Sequence, residues 1–578
     1  MPTKMTKAML PAGTDEKLAK ALIDTYEKFD TGAPKYVTKE MEPGTGVFRC
    51  QETDENKMLR NELMKASLGP LFERIKMMKT SVTVGSNFTP YDLLTPSKHL
   101  VPWLAPLRQS LPRSHRPASG ATAHWKTVIA TSSSYSRGGM PASPWCNEGQ
   151  RASEIALNAV NVSVNYATIG KNASVTFEAV SASEGFEDAL AAGHFFTLET
   201  LMVSEEDTLL GGNLSMLLGT ANTPTLVAAG SGSLTGLYFA CIGLTYEGYR
   251  NFVIANGFST STTGNTPLVT TGLTQQISQV TGDGKTMTIN SGCGQASAIS
   301  SSGGSSSLTV TGTVVAKTGE LAWLWFVGTT NATSGLYLQA LTTVPSYVVS
   351  AAPVTTTQLL SSLQTGDFSA NNGSLGGGTN QVTAYDGLIT QALNNTTLSP
   401  QNAYAVKNAG SILTTTGRGN VVELDNLLLN LWNLYKVTVD VFYVNAQELA
   451  NITSRVLNTT SAPLLRYEKD ADSEEYDLVG AGTISFYFNP FIPGGRKIPI
   501  IVHPTIPPGT ILAYAKEMPS YYKSASTPVV AEVLCRRDMY SQEFALTSRA
   551  YEFGSYVESC LALYAPFCVG LITGIGNG

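Results

Sequence analysis

The sequence predicts an α+β chain laid out along one long helix, with an all-β lobe inserted behind it. Three observations carry that expectation. Across Gly185–Asn213, the residues Phe186, Leu190, Phe195, Leu198, Met202 and Leu209 recur at steps of three or four until Gly211-Gly212 closes the pattern, the signature of an amphipathic helix with a glycine terminus. At 1.5 Å per residue such a helix would run about 37 Å. Strand-like text lies on both sides of it, so the helix is a structural axis for elements it does not itself contain. Behind it, residues 226–355 carry almost no charge, with Glu247, Arg250, Asp283, Lys285, Lys317 and Glu320 as the exceptions.

Length and composition bound what this chain does. With 578 residues it has ample length for a core and for several domains. Charged residues are 14 % of the total and the formal net charge is -6, which argues against a protein that grips nucleic acid by neutralising phosphates. The seven cysteines, Cys50, Cys146, Cys241, Cys293, Cys535, Cys560 and Cys568, are widely spaced and include no C-x-x-C pair, so neither a disulfide framework nor a zinc pattern is present. No apolar run suits a signal peptide or a membrane span. The expectation is a soluble chain made in a cytoplasm.

In chain order, residues 1–85 read as a charged helical segment. Thr14 is placed to cap a helix with Leu18, Leu22, Tyr26 and Phe29 on one face, and a second helix starts near Thr53 with Leu59, Leu63 and Met64. Residues 86–120 hold Pro90, Pro96, Pro102, Pro106, Pro112 and Pro117, which forbid a continuous helix and leave an extended arm. The arm's Leu93, Leu94, Trp103, Leu104 and Leu107 want burial. Residues 121–180 read as a long β-excursion: a strand through Trp125, a loose Gly/Pro-rich tip holding Met140 and Trp145, and a return strand alternating Val160, Val162, Val164 and Tyr166 with polar residues. The helix and its surroundings occupy 181–225.

At this point the order of phrases becomes specific. An arm ending in P-L-R-x-x-L-P-R (Pro106 to Arg113), an extended loop, and a long helix closing in E-x-x-L-L-x-G (Glu206 to Gly212) resemble the major capsid proteins of tailed bacteriophages. Their Hong Kong 97-like fold is shared by encapsulins. The second half, 356–578, agrees with that resemblance. Helix Leu424 to Leu434, strand Val437 to Val444 and helix Ala446 to Leu457, with Asn445 placed to cap the last, resemble the family's axial domain. IPIIVHPTIPPGTILAYAKE and the closing YEFGSYVESCLALYAPFCVGLITGI resemble its later strands. Between the halves, short strands around Trp323 and Trp325 fit an inserted immunoglobulin-like sandwich over 226–355, without the two-cysteine signature.

The resemblance implies a major capsid protein that self-assembles as pentamers and hexamers into an icosahedral virion shell around packaged double-stranded DNA. It further implies a portal and scaffold during assembly, and decoration or cement proteins at the insertion. Contact with DNA would be weak and non-specific. Residues 1–85 match the built-in scaffold that some relatives cut away, and are expected here to be a retained docking segment. Contacts between copies are expected at Trp103, Leu104, Leu107, Arg108, Arg113, Trp125, Met140, Trp145, Glu205 and Glu206. Some relatives join a loop lysine to a neighbour's asparagine, but Lys126 and Lys171 sit away from the tip and no asparagine can be matched.

Catalysis is not expected. Gly282 to Thr288 contains Gly-Lys-Thr, but Gln279 stands where a phosphate loop needs glycine, so a hairpin turn is the reading. The five histidines never fall at a ligand spacing, so no metal or cofactor is expected either. Two rivals share parts of the pattern: an encapsulin-like compartment shell, and a surface glycan-binding β-protein suggested by the Thr/Ser-rich middle alone.

Overall fold

The computed structural model describes strands Val37–Met41, Phe48–Glu52 and Tyr91–Asp92, and residues 104–116, 120–128, 145–151, 159–183, 189–256, 272–280, 284, 286–304, 306–363, 366–371, 384–394, 404–407, 409–417, 419–457, 465–469, 476–480, 484–519, 529–546 and 548–577. The helices expected before residue 85, the arm around Trp103, the start of the long helix at Gly185 and the excursion tip around Met140 lie outside the described residues. The chain divides into two compact units. The first is Met1–Thr89 with Ser174–Phe195 and Phe544–Glu552. Within it, Arg549 pairs with Glu178 at 2.9 Å and the Phe177 and Tyr551 rings lie 4.8 Å apart. The second is Pro90–Ala173, Phe196–Glu543 and Phe553–Gly578.

The long helix spans Ala189–Gly211, and its buried side chains Leu198, Leu201, Met202, Glu205, Glu206, Leu209 and Leu210 recur at helical steps. Two glutamates thus lie on the apolar face. Leu198, Leu201 and Met202 pack with Met539 and Val557 from the two long antiparallel strands Ala531–Glu543 and Ala550–Leu563. Its end is glycine because the backbone needs the room. A Cβ at Gly211 would stand 2.3 Å from the Tyr246 ring, and one at Gly212 would stand 2.7 Å from the Tyr385 carbonyl oxygen. Neither residue is among those with positive φ, so the glycine terminus serves close approach of neighbouring chain and not a left-handed turn.

A six-stranded mixed sheet runs in the order Tyr404–Lys407, Val569–Thr573, Ile511–Tyr514, Val441–Val444, Arg496–Val502, Phe486–Asn489. Helix Val422–Tyr435 lays Leu424, Leu427, Leu428 and Leu431 into the large core that this sheet shares, and Gly570 leaves space for Leu427 and Leu431. The strand expected from Val437 begins at Val441, because Lys436 takes a left-handed conformation (φ 56°) to end the helix. Helix Ala446–Leu457 starts as expected, with Asn445 Oδ1 accepting the Gln447 N–H at 3.0 Å.

The base of the β-excursion is the antiparallel pair Thr122–Val128 and Ala159–Asn165. Its apolar side does not wait for another copy. Ala123 and Trp125 belong to the main core, Thr127 Oγ1 donates to the Leu563 carbonyl at 3.0 Å, and the Val128 N–H donates to Tyr564 O at 2.8 Å. The outer side presents His124, Lys126, Asn161 and Ser163, all exposed.

The low-charge lobe contains two facing sheets. Thr225–Leu234, Ser307–Thr313 and Ser346–Val349 form one, and Tyr238–Leu244, Ser300–Ser301, Ala322–Gly328 and Tyr337–Thr342 form the other. In strand Ala322–Gly328 the alternation separates two cores. Trp323, Trp325 and Val327 face the smaller sheet with Phe239, Cys241, Val310 and Val349, whereas Ala322, Leu324 and Phe326 face helix Tyr246–Asn256 through Tyr249, Phe252 and Val253. The larger sheet is therefore covered on both sides, giving three layers where a plain sandwich has two. All seven residues of AWLWFVG are buried, the mark of a doubly covered strand. The apolar clusters draw on residues from Ala221 to Phe368, past both ends of the expected insertion. Strands Gln276–Val280 and Thr286–Asn290 pair antiparallel, on either side of the expected hairpin turn.

Adjacent substitutions test the three layers. Trp325→Ala and Phe326→Ala should each lower unfolding free energy by about 3–5 kcal/mol in denaturant titrations. A two-layer lobe would leave Phe326→Ala nearly silent.

Candidate functional site

The two phrases that stand out in the sequence meet in space. Within the arm, Pro106 occupies the first position of a one-turn helix, Pro106–Ser110, where its missing N–H costs nothing. Ala105, at the N-cap, has no side chain to satisfy the free N–H groups that follow. Glu206 supplies the cap from the long helix: its Oε1 accepts the Leu107 N–H at 2.8 Å and its Oε2 accepts the Arg108 N–H at 2.6 Å. A carboxylate at a helix N-terminus is matched by both hydrogen bonds and dipole.

Glu205 takes the side chains of the same phrase. Arg108 Nε donates to its Oε2 at 2.6 Å and Arg113 Nη2 to its Oε1 at 2.9 Å. Arg113 also reaches Asp538 on strand Ala531–Glu543, with Nη2 at 2.7 Å from Oδ1. Glu205 and Glu206 are both fully buried and Arg108 is 5 % exposed. Burial alone would weaken the Arg113 charge, but Glu205 and Asp538 outweigh it and hold the guanidinium well above its ordinary value. Burial likewise pushes the Asp538 carboxyl up, and the bond and charge of Arg113 bring it below the usual carboxylate range.

A third segment completes the cluster. His503, from the HPT following strand Arg496–Val502, is fully buried with Nε2 2.6 Å from Glu206 Oε1. The Thr505 N–H donates to His503 Nδ1 at 3.3 Å, which leaves the ring hydrogen on Nε2 for Glu206. The Tyr246 hydroxyl lies 2.7 Å from Thr505 Oγ1 and donates to Asp207 at 3.0 Å, and Asp207 pairs with Arg250. Ser110 Oγ lies 2.9 Å from the Tyr443 hydroxyl, whose ring meets His503 edge-on. The arm root, the long helix, the strand Ala531–Glu543 and the HPT turn are thus fastened through one buried polar clasp.

This corrects part of the sequence reading. Leu107, Arg108, Glu205 and Glu206 were expected at contacts between copies; their polar groups are spent inside one copy, where a buried charge needs its partners. Trp125 is 7 % exposed and belongs to the core, Arg113 is mostly buried, and Leu104 is half-buried against the cluster beneath the long helix. Trp145 is 90 % exposed. Trp103 and Met140 fall outside the described residues. His503 and Asp538 were missed, although a histidine between proline and two apolar strands was a legible hint. The six described cysteines are free thiols, and burial pushes Cys293 up to about 11 and Cys535 and Cys560 up to about 12, so these are inert core residues. No group of three or more potential metal ligands occurs among the described residues, and no described helix is long and apolar enough to cross a membrane.

Solved structures similar to this chain include capsid chains. The capsid chain of an empty GTA particle shares 8 % identity, with 82 % of this chain and 90 % of that chain covered at a TM-score of 0.35. The capsid of cyanophage A-1(L) shares 8 %, with 85 % and 95 % covered and a TM-score of 0.34. An encapsulin complex from Synechococcus elongatus shares 12 %, but only 33 % of this chain and 57 % of that chain are covered, at a TM-score of 0.20. No protein-family model matches the sequence, and no curated protein sequence matches it significantly.

Removing Glu206 should leave His503 and two helix N–H groups without an acceptor, so Glu206→Ala should cost about 3–5 kcal/mol in denaturant unfolding. Asp538 is held below its ordinary 3.8, so its contribution is present above that value and lost as pH falls through the lower folded one. Asp538→Asn should therefore remove part of the acid limb of the stability profile, measured by melting temperature between pH 2 and 6.

Proposed function

We propose that the chain is the shell-building subunit of a tailed-phage-type icosahedral head, self-assembling around packaged double-stranded DNA. The observation that supports this most is the clasp. The arm phrase Pro106–Arg113 and the helix-closing phrase Glu206–Gly212, whose order carries the resemblance to tailed-phage capsid proteins, are halves of one buried contact. A shell subunit needs a rigid body from which arms leave in fixed directions. The clasp supplies that fixed root for the arm upstream of Ala105, and the core-anchored pair Thr122–Val128 and Ala159–Asn165 supplies one for the excursion.

In this reading the contacts between copies fall to the parts beyond these roots, with Trp145 as an anchor: a large aromatic 90 % exposed is the kind of side chain that carries interface energy. The β-rich lobe is an inserted immunoglobulin-like domain on the outer face, where decoration proteins would meet a surface of low charge. Portal and scaffold take part in assembly, and the finished virion is the protein's place. The modest net charge of -6 suits an inner wall that faces DNA without gripping it.

Electron microscopy of the purified full-length chain, alone and with portal and scaffold supplied, tests the reading. Closed uniform polyhedra are the expected result, and separate monomers under both conditions would sink it. Trp145→Ala should lose shells while the chain still folds, checked by a cooperative melt, because it removes about 2 kcal/mol or more at each contact. Particles from infected cells that hold protein cargo and no nuclease-protected DNA would turn the reading to an encapsulin-like compartment.

A further inference from the structure

Strand Phe486–Asn489 closes one side of the six-stranded sheet. Arg496–Val502 is its neighbour, and no described strand lies on its other side. The register says which peptide groups face out. The Ile500 N–H donates to Ser485 O at 2.9 Å, so Ser485 and, two residues on, Tyr487 turn their peptide groups towards Arg496–Val502. Phe486 and Phe488 therefore turn theirs away from the sheet, and Pro499, which has no N–H, stands opposite Phe486. On either side the chain is already tied. The Ile484 N–H donates to Thr453 Oγ1 at 3.3 Å and the Phe491 N–H to Asn489 Oδ1 at 3.0 Å. Nothing within the strand blunts its edge, which has no proline, charge or bulge.

The side chains single out the same two residues. Tyr487 and Asn489 are buried, whereas Phe486 is 58 % exposed and Phe488 57 %. Gly495 leaves room for the second ring, since a Cβ there would stand 2.4 Å from Phe488 Cζ. Lys497, opposite Phe488, and Arg496, opposite Asn489, are exposed as well, and Arg496 pairs with Asp440 at 2.6 Å. The edge thus offers backbone donors and acceptors, two aromatic rings and a cationic end. A matching need lies just upstream. Leu465–Lys469 and Tyr476–Gly480 pair only with each other among the described strands, and two strands alone are marginal in water. Tyr476 and Leu478 alternate with Asp477, and the turn before them carries Asp470, Asp472, Glu474 and Glu475 with no cation.

We propose that the hairpin Leu465–Gly480 of one copy adds its second strand to the Phe486–Asn489 edge of the next, a further contact between copies beside those beyond the arm and excursion roots. Pairing is antiparallel. The acidic turn, at the start of Tyr476–Gly480, then reaches the end of the edge strand where Lys497 and Arg496 stand, and opposite charges set the direction. Backbone bonds to Phe486 and Phe488 supply the hold, and Tyr476 and Leu478 meet the two rings. Each copy gives a hairpin and takes one, so the contact is head-to-tail and closes in a ring, as pentamers and hexamers require. The proposal rests on the shell reading for bringing copies side by side.

Disulfide trapping between full-length chains tests the contact, in purified particles where they form and in concentrated solution otherwise. Chains carrying Phe488→Cys are mixed with chains carrying Tyr476→Cys, and Phe486→Cys with Leu478→Cys, under mild oxidation. Linked dimers should exceed those of each variant alone, and Lys497→Glu should lower their yield about threefold at low salt. Mixtures no richer in dimer than the single variants overturn the proposal. So do dimers that arise instead from Phe486→Cys mixed with Phe488→Cys, which would pair the edge with itself. Should a hairpin variant fail to fold, hydrogen exchange of the parent decides: peptides covering 484–490 should slow about tenfold on association, and unchanged exchange overturns the contact. Closed particles without these dimers sink the contact and leave the shell reading standing, whereas dimers without particles do the reverse.

Discussion

Two adjacent carboxylates that have left water decide how the rest of this chain is built. A buried carboxylate without partners is far too costly to keep, so Glu205 and Glu206 oblige other segments to come to them. Adjacent positions on a helix point apart by about 100°, which lets each carboxylate serve a different purpose. Glu206 caps a backbone, and Glu205 collects arginines. Because one end of the obligation is the root of the arm, the course of the chain around Leu107 is set by a residue 99 positions later.

Apolar packing and this polar cluster divide the work. The large core contributes bulk stability through burial, spread over the six-stranded sheet and helix Val422–Tyr435, and tolerates exchange among similar shapes. Hydrogen-bonded charges are intolerant of such exchange. They accept one geometry, and so select the register of the arm against the long helix. The glycines at the helix end act similarly: Gly211 and Gly212 let the Tyr246 ring and the Tyr385 carbonyl press against the backbone, bringing the HPT turn and helix Tyr246–Asn256 within reach of the cluster.

Much of this was legible from residue order. The periodicity after Gly185 marked the long helix, alternation marked the return strand at Val160–Val164, and Asn445 marked the start of its helix. What escaped was pairing at long range. Nothing local to Glu205 says whether it faces a neighbour or the interior, since a charge in an apolar stripe reads as surface until its partners are known, and those are 92 and 97 residues away. The same limit hid His503 and Asp538. In the lobe, AWLWFV held the signal for a strand covered on both faces, but which element lay on the second face depended on Tyr249 and Phe252 of helix Tyr246–Asn256, a helix the sequence reading did not place.

The double covering of that strand bears on how such a lobe is gained or exchanged between proteins. A two-layer sandwich is a self-contained cassette, removable at two points with its core intact. Here Leu360, Leu363 and Phe368 close the second core from beyond the expected boundary, and Ala221 enters the first from before it. A cut at 226 and 355 would strip both cores of a wall. A segment that kept both cores whole would run from about Ala221 to Phe368, and its ends lie beside each other: the Gly219 N–H is bonded by Asp367 at 2.7 Å. A grafted segment with adjoining ends asks little of its host beyond one short gap, and that gap lies a few residues past the end of the long helix at Gly211.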